Sequence, residues 1–225
     1  MTAPQWLRPL LDAVGDGRAG ELLPSRVGAP SSARESAVLV LFGEGADGPD
    51  VLLIERSPHL RSHAGQPAFP GGGIDPDDDG PVAAALREAQ EETGLDPDGV
   101  EVLASLPALW VPPSGNVVTP VLAWWREPSE VTRADEREVA AVARVPIADL
   151  VDPANRLTIS APSGHVGAAF EVADMLVWGF TAAVLDRLLL LGGWERPWDR
   201  DRVAALPDEV LRLAMRHRSA APGEG

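Results

Sequence analysis

Apolar and polar positions fall into two periods along this chain, and the change from one to the other marks out its elements. Over residues 4–14 the apolar side chains Trp6, Leu7, Leu10, Leu11 and Val14 recur at helical spacing and stop at Gly15-Asp16-Gly17, which predicts a short amphipathic helix. A connector rich in Pro, Ser, Ala and Gly leads to Ser36. Two apolar runs of strand length, 37–42 and 51–54, flank a Gly/Asp turn and predict a hairpin. Pro58, Gly65 and Pro67 break any period in 56–69, so irregular chain is expected there, ending in a Gly71-Gly72-Gly73 turn. Pro81 suits the first turn of a helix running to Thr93, with Gly94 as its stop. Further strands are predicted at 100–106, 117–125, 138–145 and 168–172, a long apolar helix at 175–191, and a short one at 208–217. Residues 219–225 are expected to be disordered. Several strands with one early and one late helix predict a mixed α/β core rather than a bundle.

Composition narrows the function. At 225 residues the chain has room for one sizeable domain with extensions. A net charge of −15 weighs against general nucleic-acid binding, because such a surface repels a polyphosphate backbone. Cys is absent, which removes disulfides, thiolate metal sites and cysteine nucleophiles. All 19 cationic side chains are Arg, so a Walker lysine, a Schiff-base lysine and Ser–Lys catalysis are excluded as well. No basic stretch followed by an apolar core opens the chain, and no run of about 18 apolar residues occurs. A cytoplasmic protein is expected.

The helix over 81–93 carries the chemistry. Its pattern gathers Val82, Leu86, Ala89 and Thr93 on one side and Glu88, Glu91 and Glu92 on the other. Like charges three and four residues apart repel by a few tenths of a kcal/mol per pair, roughly, in an isolated helix. A hard divalent cation would offset that repulsion. Arg87 stands four residues before Glu91 and can hold its carboxylate. The preceding glycines let backbone carbonyls approach the same ion. A solvated acidic face is the competing reading of the glutamates alone.

Residues 73–95 resemble the signature box of the Nudix hydrolases: Gly, five residues, Glu, seven residues, Arg-Glu-apolar-any-Glu-Glu-any-Gly-apolar. Gly73, Arg87, Glu88, Ala89, Glu91, Glu92, Gly94 and Leu95 fall in register, and Asp79 stands where the box has its isolated glutamate. The resemblance implies an α/β/α sandwich around a central mixed sheet, and divalent-metal-assisted hydrolysis of a diphosphate linked to another group. Upstream, Leu52, Leu53, Arg56, Ser57, Arg61, Gly65, Phe69, Pro70, Gly71 and Gly72 are similar to the extra signature of the coenzyme A pyrophosphatase branch, with Ile54 in place of a threonine.

From this resemblance the expected metal ligands are Glu88, Glu92 and Glu91, for Mg²⁺ or Mn²⁺. Glu91 and Arg87 are the expected catalytic residues, and Arg56, Arg61, Gly71 and Gly72 the expected substrate contacts. The general base is Glu91 or one of the late acids Asp135, Glu136 and Glu138. The expected partner is a small coenzyme A-like diphosphate, with no nucleic acid and no membrane, and a homodimer is left open. Three parts are expected: 1–35 as a helix and connector, 36–195 as the hydrolase domain, and 196–225 as a partly helical extension. Two alternatives stand beside the coenzyme A reading: a Nudix diphosphatase for ADP-ribose, a dinucleotide or a nucleotide sugar, and a catalytically silent nucleotide-binding domain. His59 and His63 fit loop packing or a substrate contact better than zinc, which would lack a third ligand. Trp124, Trp125 and Trp178 are expected to be core.

Overall fold

The computed structural model describes residues 3–22, 28–60, 63–112, 114–161, 164 and 166–215. Two helices open the chain, α1 (Arg8–Gly15) and α2 (Arg18–Leu22). A hairpin follows, β1 (Arg34–Gly45) and β2 (Gly48–Arg56), then the short strands β3 (Pro67–Ala68) and β4 (Gly71–Gly73) and the helix α3 (Gly80–Thr93). Next come β5 (Val100–Ser105), β6 (Leu109–Val111), β7 (Asn116–Trp125), β8 (Val139–Pro146) and α4 (Ile147–Leu150). The remainder is β9 (Arg156–Ser160), β10 (Val166–Val172), β11 (Met175–Val177), α5 (Gly179–Leu191), β12 (Val203–Ala205) and α6 (Asp208–Met215).

The main sheet is mixed. Strand β1 runs parallel to β7, from Arg34 opposite Asn116 to Phe42 opposite Trp124, and antiparallel to β2 and β4. Strands β3 and β8 add to β2, while β5 and β6 add to β7. Successive residues of β1 serve opposite faces, as the pleat requires. Leu39 and Leu41 pack with Ala84, Ala85 and Ala89 of α3, above Val121, Ala123 and Trp125. Val40 and Phe42 pack on the other face with Leu7 and Leu10 from the N-terminal segment and Leu185, Leu188 and Leu189 of α5. The expected α/β/α sandwich is therefore present, and its central strand reads as an unbroken apolar run because both faces are covered. The 1–35 segment contributes directly to this core, and Trp6 meets Phe42, Trp124 and Trp194 at ring-centroid distances of 5.8–6.3 Å.

Several expectations change. A second sheet, in the order β11-β10-β9-β12, builds its own small core from Leu157, Ile159, Ala169 and Leu206. Of its strands only β10 was predicted. The helix expected over 175–191 begins at Gly179, because Ala173 and Asp174, both at positive φ, turn β10 back into β11. A continuous apolar stretch does not by itself distinguish a buried strand from a buried helix. The Gly71–Gly73 segment is a strand against Ser36–Val38 rather than a turn. Helix α3 begins as expected at the Gly80-Pro81 step, and Gly94, at φ 70, ends it. Among the described residues no helix is long and apolar enough to cross a membrane. The expected end of α6 at His217 and the tail to Gly225 lie outside the described residues.

Candidate active site

The carboxylates of α3 do not share one solvent face. Glu92 lies on the packed side with Ala85, Ala89 and Thr93, its side chain only 3% exposed, whereas Glu91 points outward at 59%. The apolar stripe expected from Val82 and Leu86 is shifted round the helix toward alanines, which are small enough to let α3 sit close on β1. That shift carries Glu92 inward.

The glycine strand receives these carboxylates. The Gly71 amide donates to Glu92 Oε2 at 2.9 Å, and Arg56 Nη1 reaches Glu92 Oε1 at 3.2 Å. A Cβ on Gly72 would run into the Glu88 carboxylate, and one on Gly71, at φ 156, into Ala37 and Val38 of β1. At Gly71 the backbone of β1 leaves room for glycine alone, whereas a side chain on Gly72 would have to push the Glu88 carboxylate aside. Arg87 sits between the loop and the helix. Its Nη1 lies 3.0 Å from Glu88 Oε1 and 3.2 Å from Glu91 Oε2, and its Nη2 donates to the Gly73 carbonyl at 3.1 Å. The expected Arg87–Glu91 pair is therefore formed. Asp78 also binds Arg87, with both carboxylate oxygens.

Burial sets the protonation. It pushes the Glu92 carboxyl up to about 7, against Arg56 and the Gly71 amide, and the charges of Glu88 and Glu138 push the same way. Glu88 is raised as well, first by burial, with Arg87 opposing and Glu91 and Glu138 adding to it.

Glu138 is thereby separated from Asp135 and Glu136, which the sequence could not rank. Asp135 accepts the Arg137 amide and pairs with its guanidinium, and Glu136 pairs with Arg133. Glu138 instead precedes Val139, the residue that pairs with Arg56 in the β2–β8 ladder, and its carbonyl accepts the Ser57 amide at 2.7 Å. Register between β2 and β8 brings it to Glu88 and Glu92, and register is a tertiary fact that local sequence does not carry.

Among the expected substrate contacts, Arg56 is half-buried and engaged with Glu92, and Arg61 lies outside the described residues. His63, at φ 56, lies 2.9 Å from Gln66 Oε1 through its Nδ1. Trp125 is buried under α3, and Trp178 packs on the core of the second sheet. Among the described residues no three His, Asp or Glu side chains converge as a ready ligand set. Glu88 is turned to Arg87, and Glu92 to Arg56 and Gly71. The donor chemistry nonetheless fits a hard divalent cation: the oxygens are carboxylate oxygens, two of the groups have their charge opposed by burial, and the charge of Glu138 is felt by both.

Fold and site together define a class, a three-layer α/β protein whose one long box helix presses glutamates onto a glycine strand. The NUDIX domain model matches residues 33–165, more than half of the chain. An uncharacterized Nudix hydrolase, NudL, of Salmonella paratyphi B is 37% identical over 166 residues, covering 70% of this chain and 82% of that protein. The NudL of Salmonella newport matches to the same extent. Among solved structures, a Nudix hydrolase from M. smegmatis, RenU, aligns with a TM-score of 0.48 at 24% identity, over 79% of this chain and 98% of that one. A C. elegans Ap4A hydrolase aligns with a TM-score of 0.43 at 23% identity, over 52% and 83%. The chain belongs to the Nudix family. Nudix hydrolases act on small-molecule nucleoside diphosphate derivatives and generally use divalent ions such as Mg²⁺ or Mn²⁺.

Proposed function

We propose that this chain is a coenzyme A diphosphatase. Water attacks one phosphorus of the diphosphate, the bridging P–O bond breaks, and the products are 3′,5′-ADP and 4′-phosphopantetheine, or its acyl form from an acylated substrate. Glu88 and Glu92, with Glu91, would hold the Mg²⁺ or Mn²⁺. Such an ion, when bound, neutralises the diphosphate and lowers the pKa of a coordinated water. Arg87 orients Glu88 and Glu91. The general base is Glu91 or Glu138, and among the late acids only Glu138 has a charge that acts on both Glu88 and Glu92, which favours it.

The observation that carries the substrate reading is the joining of two signatures. The segment similar to the coenzyme A branch supplies Arg56 and Gly71, and both grip Glu92 of the Nudix box. On this reading Arg61, which lies in the same stretch of sequence, would contact the substrate's 3′-phosphate.

The test is a panel of coenzyme A, 3′-dephospho-coenzyme A, ADP-ribose and NADH with Mg²⁺ and Mn²⁺, with products resolved by mass. Coenzyme A is expected to give the highest kcat/KM. Arg61→Ala should raise its KM about ten- to a hundredfold, the loss of one charged hydrogen-bonding partner, while leaving the 3′-dephospho substrate unaffected. Faster turnover of ADP-ribose or NADH would assign the same chemistry to another diphosphate. No turnover of any of them would leave a silent binding domain.

A further inference from the structure

The family box puts its isolated carboxylate at Asp79, yet Arg87 is gripped by the residue before it. Asp79 is the N-cap of α3 and makes no capping hydrogen bond with its side chain. Asp78 is 7% exposed and meets the guanidinium edge to edge, with Arg87 Nε donating to Oδ1 at 3.0 Å and Nη2 to Oδ2 at 2.9 Å. Two parallel bonds of this kind fix the plane of the guanidinium as well as its position. Asp78 is itself fixed: Oδ2 accepts the Asp75 amide at 2.8 Å, and its own amide donates to the Asp75 carbonyl at 3.0 Å, closing the loop ahead of the helix. Asp75 adds only a 3.6 Å contact from an exposed side chain.

With one edge of Arg87 taken by Asp78, its Nη1 is left facing Glu88 and Glu91, while Nη2 also holds the Gly73 carbonyl. We propose that Asp78, rather than Asp79, is the positioning residue of this site, acting through Arg87 on Glu88, Glu91 and the Gly73 carbonyl. This rests on the metal-site reading above. The anchoring carboxylate is displaced one residue upstream of the box register, where the 75–78 loop supplies the rigidity that a residue at the helix cap lacks.

Five variants test it beside the wild type: Asp78→Asn, Asp78→Glu, Asp79→Asn, Arg87→Ala and the double variant Asp78→Asn/Arg87→Ala. Each is measured for Mn²⁺ affinity by calorimetry, for kcat and KM, and for thermal unfolding without metal. Asp78→Asn should weaken Mn²⁺ binding or kcat about ten- to a hundredfold, the usual effect of removing a group that orients a ligand. Asp79→Asn should leave both as in the wild type. In the Arg87→Ala background, Asp78→Asn should cost nothing further, because its effect passes through the missing guanidinium. Asp78→Glu, which keeps the charge, should recover part of the loss. The assignment is overturned if Asp79→Asn brings the loss instead, if the two single effects add in the double variant, or if Asp78→Asn lowers only Tm. Should the wild type bind no divalent ion, the metal reading fails separately. The unfolding curves of the wild type, Asp78→Asn, Arg87→Ala and their double variant then decide the pair alone: Asp78 and Arg87 must still couple there, and additive shifts would sink the anchor.

Discussion

Arg156 and Arg87 each gather several carboxylates, in surroundings that share almost nothing. Arg156, at the start of β9, is fully buried between the rings of Phe170 and Trp198, 4.9 and 4.5 Å from its guanidinium carbon. It is ion-paired with Asp186 of α5, with Glu195 at 3.7 Å and Arg200 bonded to Glu195 in turn. Two cations there meet two acids, and aromatic walls close the cluster. Around Arg87 and Arg56 the balance is different: Asp78, Glu88, Glu91, Glu92 and Glu138 outnumber the two guanidiniums, and Glu91 reaches solvent. The balanced cluster can only join the second sheet to α5 and the C-terminal segment. The acid-rich one has negative charge left over for a cation. Burial lowers the Arg156 pKa from its ordinary value, with Asp186 opposing, just as burial raises that of Glu92; in both cases the charged form is disfavoured, but only the Glu92 cluster lacks enough opposite charge.

The largest effect that would break this contrast is on stability. Arg156→Ala leaves Asp186 buried without its partner, and stripping one member from a buried pair costs about 3–5 kcal/mol. In a chain of this size, that lowers Tm by roughly 6–20 °C. The double variant Arg156→Met/Asp186→Leu should regain most of it, since neither charge then needs a partner. Thermal unfolding of the three proteins checks this. A small, equal loss in both variants would mean that the pair does not carry the junction.

Next in size is Glu92→Gln, which should move activity and not stability. Removal of an anionic ligand oxygen is expected to lower kcat/KM at least about a hundredfold, roughly 2.7 kcal/mol of transition-state stabilisation. Tm in chelator at pH 8 should stay level or rise, because a buried carboxylate whose charge the fold disfavours has been replaced by a neutral amide. Full activity with a fallen Tm would place Glu92 beside Arg156 as a scaffold residue.

The same contrast explains how much the sequence could say. The box helix, the hairpin and the central strand were legible because their signals are local: Pro81 and Gly94 bracket α3, and the apolar runs of β1 and β2 flank a Gly/Asp turn. Glu88, Glu91, Glu92 and Arg87 stood out through their spacing along one helix, and the roles expected of them came from the family resemblance. What stayed hidden depends on partners distant in sequence. Glu138 is selected by β8 pairing with β2, and Glu92 is turned inward by alanines that let α3 lie close on the sheet. The Arg156–Asp186 junction spans two elements, one of which, β9, was not predicted at all. Asp78 was passed over because the box register points to its neighbour.

The smallest expected effect separates the two clusters by pH, in metal-free protein. The Glu92 carboxyl titrates near 7 in the folded chain, against 4.5 as its ordinary value. Below about pH 4.5 the group is protonated in both states, and its contribution to stability is fully present. As pH rises toward 7 the unfolded chain ionises first, so stability is lost until the folded form ionises too, and the slope then ends. Glu88 and Asp50, also raised by burial, slope the same way, but they remain in Glu92→Gln. The difference in Tm between wild type and Glu92→Gln therefore isolates Glu92. It should widen in favour of the variant between pH 5 and pH 7.5 in chelator. Added Mg²⁺ should close that gap from the wild-type side, with an apparent affinity that climbs with pH until about 7, because the ion and the proton compete for the same oxygens. Parallel Tm curves across that range, with and without metal, would show the acids around Glu92 already balanced by their cations, and the two clusters would no longer differ in kind.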